Sequence, residues 1–90
     1  MEVGKDQIKK QRQIAKDLKK SRWWQNLIQK TQCYYCQKKL VSSEVTMDHI
    51  VPISRGGRSN KGNLVPACKA CNIAKRSMTA SEWIRFQMRP

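Results

Sequence analysis

Four cysteines stand in two Cys-x-x-Cys pairs, Cys33 with Cys36 and Cys68 with Cys71, and 31 residues separate the two pairs. Each pair places two thiolates on one side of a metal ion, and two such pairs complete the tetrahedral sulfur site that suits zinc. Two disulfides, a redox-active pair or an iron–sulfur cluster are the alternatives. The start of the chain carries no apolar signal stretch, so we expect a reducing compartment, where four cysteines favour structural zinc.

His49, the one histidine of the chain, follows Asp48 in the segment between the cysteine pairs. A neutral imidazole can accept a proton from water at physiological pH, so His49 is a candidate general base, with a structural histidine as the alternative. Asp48 and Asn72 offer a carboxylate and an amide oxygen, which are the ligands that Mg²⁺ prefers. They could instead be a turn or cap residue and a helix-start residue. Strict strand alternation would also put Asp48 and His49 on opposite faces.

Positive charge dominates the composition: 19 Lys and Arg stand against 6 Asp and Glu, a net charge of +13 in 90 residues. This excess points to nucleic acid as a partner, with a ribosomal-type structural protein or simple solubilisation as alternatives. A hydrophobic content of 39% argues against a wholly disordered tail, and no apolar run is as long as a membrane span. We expect a small cytoplasmic protein without membrane contact, whose modest core needs a metal to supplement it.

The elements that position these residues begin with a helical region over residues 5–30, which Ser21 should break in two as an N-cap. The second part is predicted to face a core with Trp24, Leu27 and Ile28. Basic residues recur on one face of the first part at spacings of four and three, either as a rail for phosphates or as a solvated face. They are Lys5, Lys9, Arg12, Lys16 and Lys19.

Beyond the first cysteine pair the predicted order is strand, loop, strand, helix. Residues 45–51 are rich in β-forming side chains, residues 64–67 form a short second strand, and residues 68–76 are helical. Thr79 and Glu82 fit a capping box that starts a C-terminal helix. The apolar side chains of this helix are expected to pack in the core: Trp83, Ile84, Phe86 and Met88.

Five short motifs stand at fixed spacing: Cys33-x-x-Cys36, Asp48-His49-Ile50-Val51-Pro52, Ser54-Arg55-Gly56-Gly57, Asn63-Leu64-Val65-Pro66 and Cys68-x-x-Cys71-Asn72-x-x-Lys75. Together they resemble an HNH endonuclease, in the variant whose four zinc-binding cysteines surround a ββα-metal hairpin and helix. The resemblance covers about residues 31–76 and extends only loosely to residues 1–30 and 77–90.

The resemblance implies a module that cuts DNA phosphodiester bonds with one divalent cation, Mg²⁺ or Mn²⁺. By position, His49 would be the general base that activates water, and Asp48 and Asn72 would hold the cation. Asn63 matches an asparagine that ties the hairpin loop and helps to orient the histidine. Asn72 stands where the family often has a histidine, a common variant that leaves the preferred ion open.

Three basic residues near these motifs are predicted to contact DNA, with solvated surface as the alternative. Arg55 and Arg58 flank two glycines and would approach the backbone of a bound strand, and Lys75 would contact a phosphate one turn beyond Asn72. Such contacts position a protein on DNA without reading its sequence.

The sequence thus predicts an α+β fold: a small zinc-stabilised ββα-metal (HNH) module with flanking N- and C-terminal helices. Residues 1–30 would be a basic helical extension and residues 31–90 the nuclease domain. The predicted activity is nicking or cleavage of double-stranded DNA with low sequence specificity. A dimer and a subunit of a larger nuclease, packaging or restriction assembly are the candidate assembly states. The alternative is a non-catalytic zinc module that binds nucleic acid, which has no reason to carry the set Asp48, His49, Asn63 and Asn72.

Overall fold

Two helices precede and two helices follow a pair of short antiparallel sheets, which confirms the predicted α+β class. The computed structural model describes residues 3–87. Its helices are α1 (Lys5–Lys19), α2 (Arg22–Leu27), α3 (Lys69–Lys75) and α4 (Ala80–Gln87). Its strands are β1 (Thr31–Gln32), β2 (Lys39–Leu40), β3 (Val45–His49) and β4 (Leu64–Cys68), and 3-10 turns lie at Ser42–Glu44 and Ile53–Arg55. None of the helices in residues 3–87 combines the length and apolarity of a membrane span.

The predicted break at Ser21 is confirmed, because this residue separates α1 from α2. Its hydroxyl oxygen accepts a hydrogen bond from the Trp24 amide at 3.4 Å and donates one to the Leu18 carbonyl at 2.5 Å. One side chain therefore caps α2 and stabilises the end of α1. Trp24 is buried as predicted, whereas Leu27 and Ile28 are only half-buried. α1 packs against the 3-10 turn at residues 53–55.

β3 and β4 form an antiparallel hairpin that runs from Val45 opposite Cys68 to His49 opposite Leu64. The predicted strand 45–51 ends two residues early. Beyond His49 the regular ladder stops, because the Ile50 amide donates instead to the main-chain oxygen of Asn63 at 2.9 Å. α3 follows β4 directly and begins with the second cysteine pair. The catalytic candidates therefore lie on one hairpin and the helix that continues from it.

The core forms around the cysteines, since the turn between β1 and β2 carries the first pair against the end of β4. The Tyr34 amide donates to the Pro66 carbonyl at 2.9 Å and ties this turn to β4. The buried residues of this cluster are Cys33, Leu40, Ala67, Cys68, Cys71 and Trp83. Three of the four cysteines are thus core residues as well as potential ligands.

α4 begins with the predicted capping box: the Thr79 amide donates to Glu82 Oε1 at 2.9 Å, and the Glu82 amide donates to Thr79 Oγ1 at 3.2 Å. Trp83 is buried as expected. The core positions predicted for Ile84 and Phe86 are wrong, because each is 51% exposed. A two-turn helix presents one narrow face to the core, and Phe86 stacks on the Trp83 ring at 5.7 Å instead. Met88 lies outside the described residues.

Candidate active site and metal centre

The four cysteine sulfurs form one compact cluster, with all four Sγ atoms within 4.8 Å of one another. Cys36 Sγ and Cys68 Sγ lie 3.9 Å apart, and all four thiols are free. A tetrahedral site with Zn–S bonds of about 2.3 Å would separate its sulfurs by about 3.8 Å, whereas a disulfide needs about 2.05 Å. The cluster could therefore hold a metal ion, and the disulfide alternative is not formed.

The environment of the cluster favours thiolate at one sulfur and opposes it at another. Burial works against ionisation of Cys33, but main-chain hydrogen bonds from Cys36, Cys68 and Tyr35 outweigh it and lower the pKa of its thiol to about 7. Burial raises the pKa of the Cys71 thiol. Since a metal binds thiolate, a bound cation would offset the cost of ionising the buried sulfurs.

Tyr35 and Lys75 hold one oxygen of Asp48. The Tyr35 hydroxyl donates a hydrogen bond to Asp48 Oδ2, and Lys75 Nζ lies 3.0 Å from the same oxygen. Burial and then the neighbouring Asp48 raise the pKa of Tyr35, so its hydroxyl stays a proton donor. The second carboxylate oxygen of Asp48, Oδ1, takes part in neither contact and is left to bind a further ligand. Because Tyr35 lies between the first two cysteines, the sulfur cluster and Asp48 are linked by one side chain.

The position of Lys75 corrects its predicted contact with a DNA phosphate. Its side chain is fully buried, and Nζ also donates to the His49 carbonyl at 3.0 Å. An ammonium group enclosed in this way cannot reach a ligand outside the fold. Lys75 instead neutralises Asp48 within the protein, as a buried charge requires.

Lys75→Met is expected to lower the free energy of unfolding by about 3–5 kcal/mol, because it leaves the Asp48 carboxylate buried without its counter-charge. The double variant Asp48→Asn/Lys75→Met removes both charges and should lose less than Lys75→Met alone. Urea unfolding measures these differences, with Lys69→Met as the control at the exposed start of the same helix. An equal loss of unfolding free energy in the single and the double variant would contradict the role of Lys75 as the counter-charge of Asp48.

Asn72 is oriented through its amide nitrogen. Nδ2 donates to Thr46 Oγ1 at 2.8 Å and to the Met47 carbonyl at 3.4 Å, so Oδ1 is the atom left to face a cation. Asn72 and Asp48 line the same cleft, which has a volume of about 330 Å³. Asp48 Oδ2 and Asn72 Nδ2 are held by other side chains of the protein, so each residue has one oxygen, Oδ1, left for a cation. This donor set fits a hard divalent cation that keeps most of its waters.

His49, the last residue of β3, lines this cleft together with Asp48. Its Nε2 lies 2.8 Å from Ser59 Oγ. Burial lowers the pKa of His49 below its ordinary 6.5, while the Asp48 carboxylate opposes that shift and the Lys75 ammonium adds to it. The imidazole is therefore mostly neutral at pH 6.5 and above, in the form that can accept a proton.

Asn63 braces the loop that follows His49. Its Oδ1 accepts from the Val51 amide at 2.9 Å, and its Nδ2 donates to the Val51 and Arg58 carbonyls at 3.0 and 2.9 Å. Within the same loop Gly56 has φ of +90°, and a Cβ on Gly57 would lie 1.7 Å from the Val51 oxygen. Both glycines are required by the backbone, and the loop closes tightly against the end of β3.

The predicted DNA-contacting residues fall into two groups. Arg58 is exposed, and Arg55 pairs through Nη1 with Glu82 of α4 while remaining half-exposed. The five basic residues predicted to form one face of α1 are all exposed: Lys5, Lys9, Arg12, Lys16 and Lys19. The first four line one groove with Ile8 and Gln13. Ile8 and Arg12 also line the cleft of Asp48 and His49, so the groove and the cleft are adjacent.

Several residues of the site were missed by the sequence analysis. Tyr35 could have been suspected as an aromatic residue between two cysteines. Ser59 lies in a polar loop and Gln11 between basic residues, where neither stands out, and Arg76 lines the cleft just after α3. Their roles depend on contacts between distant segments, which no local pattern encodes.

A protein family and two known proteins match part of this chain. The sequence profile of the HNH endonuclease family matches residues 33–86, more than half of the chain. Two proteins named CRISPR-associated endonuclease Cas9 are similar to it: that of Corynebacterium diphtheriae is 38% identical over 58 residues, and that of Actinomyces naeslundii is 36% identical over 52. These matches cover 63% and 57% of this chain but only 5% of each relative. The cysteine cluster, the hairpin and the cleft residues Asp48, His49 and Asn72 all lie within the matched profile, and the chain belongs to the HNH endonuclease family.

Proposed function

We propose that this protein is a metal-dependent endonuclease that hydrolyses DNA phosphodiester bonds, with little sequence specificity of its own. One observation carries the proposal: Asp48, His49 and Asn72 line a single cleft, and that cleft borders the basic groove of α1 at Arg12. A phosphodiester bound there would meet oxygen ligands for a cation and a neutral imidazole. The membership in the HNH endonuclease family and the similarity to proteins named endonucleases support the same conclusion.

In this proposal His49 takes the proton of the attacking water. The water oxygen forms a bond to phosphorus, the bond from phosphorus to the 3′ oxygen breaks, and the departing oxygen gains a proton from solvent. Asp48 and Asn72 would hold a divalent cation, Mg²⁺ or Mn²⁺, which supplies stabilisation of the charge that develops on the phosphate and leaving oxygens. Tyr35 and Lys75 keep Asp48 in place, and Asn63 keeps the loop beyond His49 closed.

The sulfur cluster has a structural role in this proposal, with zinc as its metal. Four thiol ligands leave no open position for chemistry, which distinguishes this site from a catalytic zinc site. Two of its ligands are next to residues that build the cleft: Tyr35, which holds Asp48, precedes Cys36, and Asn72, which lines the cleft, follows Cys71. Zinc would therefore join the two cysteine pairs, and in this way it would fix the positions of Asp48 and Asn72.

DNA is proposed to lie along α1 and enter the cleft at Arg12. The exposed basic side chains of the groove match the negative charge of a phosphate backbone, and their contacts would be independent of sequence. Arg58 extends the positive surface on the loop after His49. The buried Lys75 is not part of this surface.

Arg12→Ala should weaken DNA binding and make it less sensitive to salt. On duplex DNA the slope of log affinity against log salt should become shallower by about 0.9, because one phosphate fewer is neutralised by the protein. Fluorescence anisotropy over a series of salt concentrations measures this slope. Lys39→Ala removes an exposed charge on β2 that lines neither the groove nor the cleft, and it should leave the slope at the wild-type value. An unchanged slope in Arg12→Ala would remove this residue from the interface.

A plasmid assay tests the proposed activity. Supercoiled DNA incubated with the zinc-loaded protein should become relaxed or linear with Mg²⁺ or Mn²⁺ and stay supercoiled with EDTA. Asn72→Ala removes a proposed cation ligand and should lose most cutting, whereas Asn60→Ala alters an exposed asparagine outside the cleft and should keep it. A protein that binds DNA but cuts it with neither Mg²⁺ nor Mn²⁺ would overturn the proposal and favour the non-catalytic module.

A further inference from the structure

Two hydrogen bonds join α1 to the loop between β3 and β4. The Ser59 amide donates to Gln11 Oε1 at 2.6 Å, and the Ser59 hydroxyl donates to the main-chain oxygen of Gln11 at 2.5 Å. Gln11 is 2% exposed and Ser59 is 6% exposed, although both are polar and lie 48 positions apart. Buried polar groups are kept in a fold where they are paired, so this contact fixes the loop on the helix.

The Ser59 hydroxyl also determines which nitrogen of His49 carries a proton. A serine hydroxyl has a single hydrogen, and the Gln11 carbonyl can only accept one. The hydrogen is therefore directed to Gln11, and Ser59 Oγ must act as an acceptor towards His49 Nε2, 2.8 Å away. A neutral imidazole donates from one nitrogen only, so Nε2 carries the proton and Nδ1 is the basic nitrogen.

We propose that Gln11 is a positioning residue, which acts through Ser59 to hold His49 in the tautomer whose Nδ1 can accept a proton. The inference rests on the proposed role of His49 as the general base. Ser59 is held from both sides, because the preceding carbonyl, that of Arg58, accepts from Asn63 Nδ2 at 2.9 Å. The Gln11 side chain holds the Ser59 amide, and this bond keeps the Ser59 hydroxyl against the main-chain oxygen of residue 11. Without the side-chain acceptor, the loop would move away from α1 and the hydroxyl would be free to donate to His49, which would place the imidazole proton on Nδ1.

This arrangement makes the basic helix part of the active site as well as a surface for DNA. Gln11 precedes Arg12, the basic residue shared by the groove and the cleft. A change in the seating of α1 would move both a phosphate contact and the hydrogen bonds that orient His49. The N-terminal helix is therefore required for a correctly protonated base, and not only for affinity.

Nitrogen NMR of the imidazole tests the assignment directly, because His49 is the only histidine. In histidine-labelled wild-type protein at pH 8, we expect a protonated Nε2 and an unprotonated Nδ1, with well separated ¹⁵N shifts. Ser59→Ala removes the acceptor, and Gln11→Met keeps the length of the side chain but removes its amide. In both variants the two ¹⁵N shifts should move towards each other as the tautomers mix. Gln29→Met, which replaces an exposed glutamine, should keep the wild-type spectrum.

Cleavage kinetics provide the second measurement. Gln11→Met should lower kcat by about 10-fold to 100-fold with little change in KM, as expected when a reacting group is misplaced. A wild-type proton on Nδ1 would overturn the proposal at once, as would wild-type shifts and kcat in Gln11→Met. If Gln11→Met does not fold, the ¹⁵N shifts and kcat of Ser59→Ala are measured instead, and wild-type values in that variant would also overturn the proposal. The tautomer is read without any cleavage, so a protein with the expected tautomer that cuts no DNA would refute the proposed function alone.

Discussion

His49→Ala is expected to reduce the rate of DNA cleavage by about 10²-fold to 10⁴-fold, the range that a positioned general base contributes. Alanine removes the imidazole, the one group among the described lining residues of the cleft that is neutral and able to accept a proton near neutral pH. The loss should fall on kcat, because His49 contributes no charge to the basic groove of α1. Measuring single-turnover cleavage at saturating protein separates this step from DNA binding.

The fold should tolerate this substitution. Ser59 keeps both hydrogen bonds to Gln11, and Lys75 keeps its ion pair with Asp48 and a main-chain acceptor at position 49. DNA affinity, metal content and the unfolding midpoint are therefore expected to stay close to wild type. Added imidazole should restore part of the activity, since the alanine leaves room for a small base. Equal cutting by wild type and His49→Ala, or a variant that no longer binds DNA, would contradict the assignment of His49 as the base.

The parts of the site that local patterns encode could be predicted from the sequence. The spacing of the cysteines requires a common site, and the geometry agrees, with all four sulfurs within 4.8 Å. The capping box at Thr79 and the break at Ser21 depend on residues three positions apart, and both are present. The cleft position of Asp48, His49 and Asn72 followed from a motif resemblance and not from periodicity, since alternation in β3 would have separated the first two.

The rest depends on how distant segments meet, and the sequence alone could not settle it. Lys75 resembles the other basic residues of the chain, yet its ammonium is buried against Asp48, which lies 27 positions earlier. The burial of Gln11 is equally hidden, because α1 reads as a helix of solvated basic residues. Ile84 and Phe86 show the converse, since apolar side chains on a short terminal helix remain exposed when the small core is already filled by Trp83.

Removing the metal from the cysteine cluster is expected to unfold the module from residue 31 onwards. Zinc binding in small modules is worth about 10–16 kcal/mol, while the net stability of an ordinary domain is about 5–15 kcal/mol. The buried cluster of this chain is built largely from its cysteines, together with Leu40, Ala67 and Trp83. Few apolar groups would remain to hold β1, β2 and α3 together, so the free energy of unfolding should fall to near zero.

Cys68→Ser should have the same effect as a strong chelator. Cys68 ends β4, its sulfur accepts a hydrogen bond from the Cys71 amide at 3.4 Å, and it lies within the sulfur cluster. Its loss should disperse the cluster and expose Trp83, which shifts the tryptophan emission to longer wavelength. Ser43→Ala changes an exposed residue beside the same cysteines and should leave zinc content and emission unchanged.

The chelation experiment also tests how the two metal sites depend on each other. Tyr35 holds Asp48 from within the first cysteine pair, and Asn72 follows the last cysteine, so loss of zinc should abolish cutting even with Mg²⁺ present. Zinc added back should restore both the emission spectrum and the cleavage rate, because the cation ligands return to place only when the fold does. A metal-free protein that retains the wild-type spectrum and melting temperature would show that the hydrophobic core is sufficient, and that the cysteines do not hold the site together.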